Sequence, residues 1–136
     1  MIVNRRIKFD YKIIQKWEAG IVLLGTEASV LRRGMGSIMH SYATIDNEEV
    51  FLLNMHIPKS KFSYMNHDEL RRRKLLLHKK EIKKMMRVSE RQLTLIPETI
   101  YENKRGYFKV TIALCEGKKK FDKRRTIREK ENRRDL

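Results

Sequence analysis

Four histidines and one cysteine are the residues from which this chain would build a metal centre or a nucleophile, and their spacing supports neither. His40, His56, His67 and His78 show no HxxxH pairing, and Cys115 has no second cysteine with which to share a metal or a disulfide. Cys115 closes an alternating apolar run, so it reads as an inert, half-buried thiol. No GxSxG, P-loop or GxGxxG occurs. Asp10, Glu18 and Glu27 are the carboxylates from which an acid–base pair would be drawn, and nothing in the sequence pairs them. No catalytic residue, no metal and no cofactor is expected, and the chain does not read as an enzyme.

The chemistry that the sequence does support is phosphate binding. The formal net charge is +15 over 136 residues. Residues 71–87, RRRKLLLHKKEIKKMMR, hold nine basic side chains against one Glu, and residues 117–136 hold ten against four acids. The remaining 99 residues are close to neutral. Positive charge gathered into two patches is the footprint of a polyanion binder. Like charges at i and i+4, Lys79 with Lys83 and Lys80 with Lys84, cost helix stability, which favours RNA or DNA phosphates over a merely solvated face. No apolar run approaches the roughly twenty residues of a membrane span. The N-terminus MIVNRRIKFD lacks the apolar stretch of a signal peptide. With a lone cysteine, these features suggest a cytoplasmic protein without a membrane partner.

The elements that must position these charges are mostly strands. Alternation from Lys8 sets Phe9, Tyr11, Ile13 and Trp17 on one face and Asp10, Lys12, Lys16 and Glu18 on the other. That strand runs on into AGIVLL, with a bend or bulge expected at Gly20. GTEASVLRRG predicts a short helix capped by Thr26, with Glu27 in its first turn and Gly34 as its stop. Residues 41–58 predict a hairpin turning at Asp46–Glu49 and ending at Pro58, followed by a polar loop over 59–70. A helix is expected from about Lys74 to Arg87, with Leu75, His78, Ile82, Met85 and Met86 on its apolar stripe. A turn or helix at 88–92 leads to strands in LTLIPETIY and YFKVTIALC. The fold class is therefore mainly β with about three short helices, a small antiparallel barrel whose closure removes edge strands. Residues 1–120 form the barrel domain, and 121–136 form a flexible basic tail.

Within this frame three residues stand out. His78 on the apolar stripe reads as a core or rim histidine, Leu76 lies off the stripe's centre, and Glu18 is an acid on the polar face of a basic protein. Glu18 has two readings, a surface salt bridge with Lys16 or a nearby Arg, or a carboxylate that accepts hydrogen bonds from base amino groups. The tail cannot bury enough apolar surface to order itself, although TIRE has capping-box spacing and GKKKFDKRR sets a ring among cations. It is expected to be disordered when free and to fold against RNA, with Phe121 available for stacking.

Several motifs occur together in one order: NRR at 4–6, EAGIVLLGTE at 18–27, LRRG at 31–34, SYATIDNEEVFLLNMHI at 41–57, RRKLLLHKKEI at 72–82, LTLIP at 93–97, KRGYFKVTIALCEGKK at 104–119 and DKR at 122–124. Across nearly its whole length the chain resembles the SmpB family, the tmRNA-binding proteins of bacterial trans-translation. Ser29, Glu69 and Phe121 depart from the usual family pattern. The resemblance implies an oligonucleotide-binding (OB) fold that binds the tRNA-like domain of tmRNA and delivers it to stalled ribosomes. It implies tmRNA contacts at Asn4, Arg5, Glu18, Lys74, Leu76, His78 and Lys79. It also implies that Lys118, Lys119, Phe121, Asp122, Lys123 and Arg124 act in the empty decoding site and messenger channel. The implied partners are tmRNA and the stalled 70S ribosome with its small-subunit ribosomal RNA. Elongation factor Tu and alanyl-tRNA synthetase would be reached through tmRNA, by a monomer. The alternatives are a ribosomal or translation-factor-like protein that binds ribosomal RNA directly, and a small RNA-processing enzyme with an OB fold.

Overall fold

The computed structural model describes residues 1–89 and 93–117. The elements in chain order are β1 (Ile2–Val3), α1 (Ile7–Asp10), β2 (Tyr11–Ile21), α2 (Gly25–Arg32), β3 (Tyr42–Asp46), β4 (Glu49–Leu53), β5 (Arg73–Leu76), α3 (Lys79–Ser89), β6 (Thr94–Glu102) and β7 (Phe108–Gly117). All strand pairings are antiparallel. β6 pairs with β7 along its length and with β3 at Ala43–Leu95, so the ladder β6-β3-β4-β5-β2-β7 returns to β6. The six strands close into a barrel, and β1 adds to the free part of β6. This is the mainly β, three-helix architecture that the alternation predicts. Closure leaves few backbone groups to pair with another chain.

The β3–β4 hairpin turns through Asn47 and Glu48, both at positive φ (49° and 62°), the geometry of a two-residue turn matched to the twist of its strands. Inward residues of β2, β4, β6 and β7, among them Trp17, Val50, Leu52, Ile100, Val110 and Ile112, fill the barrel, and Val30 and Leu31 of α2 and Met85 of α3 complete the core.

The structure corrects the expected bounds of several elements. Residues 7–10 are helical, so the first long strand begins at Tyr11. Its bulge lies between Ile13 and Gln15, whereas Gly20 stays in register with both Lys109 and Leu76. One extra residue reverses the facing of a strand. Tyr11 and Ile13 therefore pack with Ile7, Ile96, Ala113 and Cys115 in a small second core, while Trp17 and Ala19 enter the barrel. Leu24, not Thr26, is the N-cap of α2: its N–H donates to Glu27 Oε1 at 2.8 Å, and Thr26 Oγ1 lies 2.9 Å from His67 Nδ1. Residues 73–76 form a strand, and the basic helix starts only at Lys79. Gly34 does end α2, at φ 77°.

The run Arg71–Lys74 is also less available to RNA than its charge suggests. Arg73 is fully buried, with Nε against Glu27 Oε2 at 2.5 Å and Nη1 donating to the Met55 carbonyl. Arg71 reaches the other Glu27 oxygen at 2.6 Å. Burial raises the Glu27 carboxyl, but hydrogen bonds from Arg71, the Leu24 N–H and Arg73 outweigh it and hold the group below its ordinary range. Burial in turn lowers the Arg73 guanidinium against the support of Glu27. Arg72 covers the Phe51 ring, 3.8 Å from its centroid, and pairs with Asp46, while Lys74 lies 3.5 Å from Glu49. Cys115 is buried, and burial, with Glu98 nearby, pushes its thiol up to about 11, which makes it a poor nucleophile at neutral pH.

Candidate nucleic-acid interface

Side chains that alternate with the core cover the outside of β5, β2, β7 and β6. Glu18, Lys109 and Thr111 point outward there, since their neighbours Ala19, Val110 and Ile112 point in. Tyr101 and Thr99 follow on β6, opposite Lys109 and Thr111. On the other side of β2, Leu76 pairs with Gly20 and lies over its bare backbone, 3.4 Å from where a β-carbon would stand. Leu76 is 53% exposed although it sits mid-sheet, so its large apolar surface faces solvent without a cover.

His78 is exposed, which corrects the core or rim reading. The strand period ends before it, and His78 instead opens α3: its N–H donates to Glu81 Oε1 at 3.1 Å, and its carbonyl receives the Ile82 N–H. The backbone is thereby fixed while the ring stays in solvent. Lys79, Lys80, Lys83, Lys84 and Arg87 are exposed along α3, and none has an acidic partner within ion-pair distance among the described residues.

Glu18 does not pair with Lys16. Lys16 pairs with Glu98 at 2.8 Å, and Glu18 accepts from the Tyr101 hydroxyl. That hydrogen bond, with some burial, raises the Tyr101 phenol above its ordinary value. Glu18 is exposed and a carboxylate accepts several hydrogen bonds, so it keeps acceptor capacity for a ligand beside Tyr101. Sequence reasoning misses Tyr101, and the strand register is the signal that finds it.

Asn4 and Arg5 lie elsewhere. Asn4 is buried: its N–H donates to the Glu98 carbonyl, and its side-chain amide donates to the Ile38 and Pro97 carbonyls, so it ties the N-terminus to β6. It serves the fold and is not part of the exposed face. Arg5 beside it is exposed. Lys74 points outward on β5 two residues before Leu76, with Glu49 as its partner. Lys74 and Leu76 thus share the outer face of β5, with Gly20 of β2 beside Leu76 and Glu18 two residues back along that strand; His78 and Lys79 follow β5 at the start of α3, while Asn4 and Arg5 stand at the β1–α1 corner. Lys118, Lys119, Phe121, Asp122, Lys123 and Arg124 lie outside the described residues.

A family model described as SmpB protein matches residues 1–136. The chain belongs to the SmpB family. It is 46% identical over 137 residues to the SsrA-binding protein of Cytophaga hutchinsonii, a match covering 99% of this chain and 90% of the relative. It is 49% identical over 135 residues to the SsrA-binding protein of Syntrophobacter fumaroxidans, covering 98% and 83%. Among solved structures it is similar to a chain described under the words "tmRNA-SmpB: a journey to the center of the bacterial ribosome". The TM-score there is 0.73 and the identity 45%, over 88% of this chain and 85% of that one. Glu69 places its carboxylate 3.0 Å from His56 Nε2.

Proposed function

We propose that this SmpB-family chain binds the tRNA-like domain of SsrA RNA, or tmRNA, and accompanies it to stalled ribosomes in trans-translation as a non-catalytic adaptor. The observation that carries the reading is the uncovered Leu76 on the outer face of β5, followed by the exposed His78 and by lysines of α3 that have no acidic partner among the described residues, with Glu18 pointing outward on the neighbouring strand β2. An apolar anchor with an acceptor on the neighbouring strand and a ring two residues further along the chain fits bases, and the lysines of α3 fit the phosphates around them. Relatives named SsrA-binding protein and a similar chain in a tmRNA–SmpB structure support the same partner. The ribosome follows as second partner, with elongation factor Tu and alanyl-tRNA synthetase reached through tmRNA. The adaptor acts as a cytoplasmic monomer. No helix among the described residues is long and apolar enough to cross a membrane.

In this reading Lys118, Lys119, Phe121, Asp122, Lys123 and Arg124 act in the decoding site and messenger channel, separately from the barrel face. Deleting residues 121–136 tests that division. Affinity for the tRNA-like fragment should change by no more than about threefold, because Leu76, Glu18 and α3 remain, while tagging on stalled ribosomes should fall at least about tenfold. Parallel loss of both would join the tail to the tmRNA site.

Glu18→Gln should weaken fragment binding by about tenfold, because a charged acceptor makes the stronger hydrogen bond. Simple charge attraction predicts tighter binding, since the substitution raises net charge. Filter binding of the two proteins at one salt concentration separates these outcomes.

A further inference from the structure

A second feature lies on the long connection between β4 and β5, away from the barrel face. At its tip Phe62, Tyr64 and Met65 are 78%, 107% and 87% exposed. Flexible chain commonly tucks such side chains away, but this backbone is held in place. The Asn66 side chain accepts from the Ser60 N–H at 2.7 Å and donates to the carbonyls of Ser60 and Ser63. Ser63 Oγ donates to the Met65 carbonyl at 3.1 Å. At the base, buried His67 bridges Thr26 and the Ile57 carbonyl, each at 2.9 Å, and so anchors the loop to α2. The aromatic tips are therefore presented on a fixed support.

Their surroundings are cationic. The Arg33 guanidinium stands over the Phe62 ring, 4.4 Å from its centroid. Lys59 and Lys61 flank the rings, and residues 59–66 contain no acid. An open hollow of about 810 Å³ beside Tyr64 is lined by Lys59, Asn66, His56 and Glu69. Asp68 also lines the hollow and accepts from the Leu70 N–H, and Glu69 lies 3.0 Å from His56 Nε2. Exposed rings among Lys and Arg are a recipe for unpaired nucleotides, in which bases stack and phosphates pair.

We propose that the 59–66 loop tip is a second RNA contact, an aromatic platform that stacks unpaired nucleotides and is separate from the Glu18–Leu76–His78 face. The proposal rests on the RNA-binding reading above and adds a site and a ligand class to it. Stacking depends little on salt, whereas phosphate contacts release counterions, and this difference isolates the loop from the basic remainder of the chain.

The test measures binding of the full-length chain to a fluorescent oligoadenylate of about ten nucleotides across a salt series. Phe62→Ala/Tyr64→Ala should lower the log–log line by about one unit, a tenfold loss, without changing its slope. Lys59→Ala/Lys61→Ala should make the slope shallower. Phe62→Trp/Tyr64→Trp should restore affinity, and an unlabelled oligonucleotide should quench the indole emission that this variant gains over the wild type. A line for the alanine pair that superimposes on the wild type would overturn the platform. So would loss of binding to phosphatidylserine vesicles with oligonucleotide binding intact, which would make the loop a membrane contact. The alanine pair should keep its affinity for the tRNA-like fragment within about threefold, and equal loss on both RNAs would overturn the separation of the two surfaces. Failure of the wild type on the tRNA-like fragment is a different result and would count against the proposed function itself.

Discussion

Replacing Glu27 by Gln should destabilise the fold by about 3–5 kcal/mol, the usual cost of removing one partner from a buried ion pair. Glu27 and Arg73 are both fully buried, and each Glu27 oxygen serves a different arginine while one also caps α2. The amide would leave the Arg73 guanidinium without a counter-charge inside the protein. It would also loosen the link between α2 and the start of β5, where the long loop returns to the barrel. Glu49→Gln is the control, because Glu49 and Lys74 are both about half exposed. That change should fall within about 0.5 kcal/mol. Urea titrations of the two variants should show a lowered midpoint with an unchanged slope for Glu27→Gln alone.

The same carboxylate shapes acid stability. Its folded-state value is depressed below the ordinary 4.5, so its contribution is fully present above that value and is lost as pH falls through the folded value. The wild type should therefore lose stability below about pH 4.5 more steeply than Glu27→Gln, which has no proton to take up at this position.

The strands that alternate cleanly are legible in the sequence. β6, β7 and the β3–β4 hairpin stand where period two and turn chemistry put them, because one face of each meets the core. β5 is hidden because Leu75-Leu76-Leu77 is a continuous apolar run without a period, and the lysines after it extend the helical pattern backward. The arginines of that run read as solvent charge because nothing local marks a buried guanidinium. The partner of Arg73 lies 46 residues earlier in the chain. The bulge near Ile14 is equally hidden, since Gly20 carries the local signal for one and Ile14 carries none. In the site, Leu76 stands out in the sequence for the wrong reason: it falls off the centre of a helical stripe, whereas its exposure follows from alternation with buried Leu75 on β5. The contact of Glu18 with Tyr101 is not legible, because strand register sets it. Asn4 enters through the family resemblance alone, and nothing local in the sequence marks its burial, because its bonds to the Ile38 and Pro97 carbonyls are tertiary.

If the face around Leu76 receives the tRNA-like domain of tmRNA, then Leu76→Asp should remove binding without unfolding the barrel. The side chain is half exposed, so the substitution removes little burial, and the circular dichroism spectrum and urea midpoint should be kept. The substitution deletes the apolar anchor and sets an acid among phosphates, a combination expected to weaken binding on the order of a hundredfold. The measurement is the dissociation constant of the tRNA-like fragment for Leu76→Asp and wild type, taken side by side at one salt concentration. A folded variant whose affinity has fallen by about that factor is the expected outcome. A folded variant that binds the fragment as tightly as the wild type would place the tmRNA site elsewhere on the molecule.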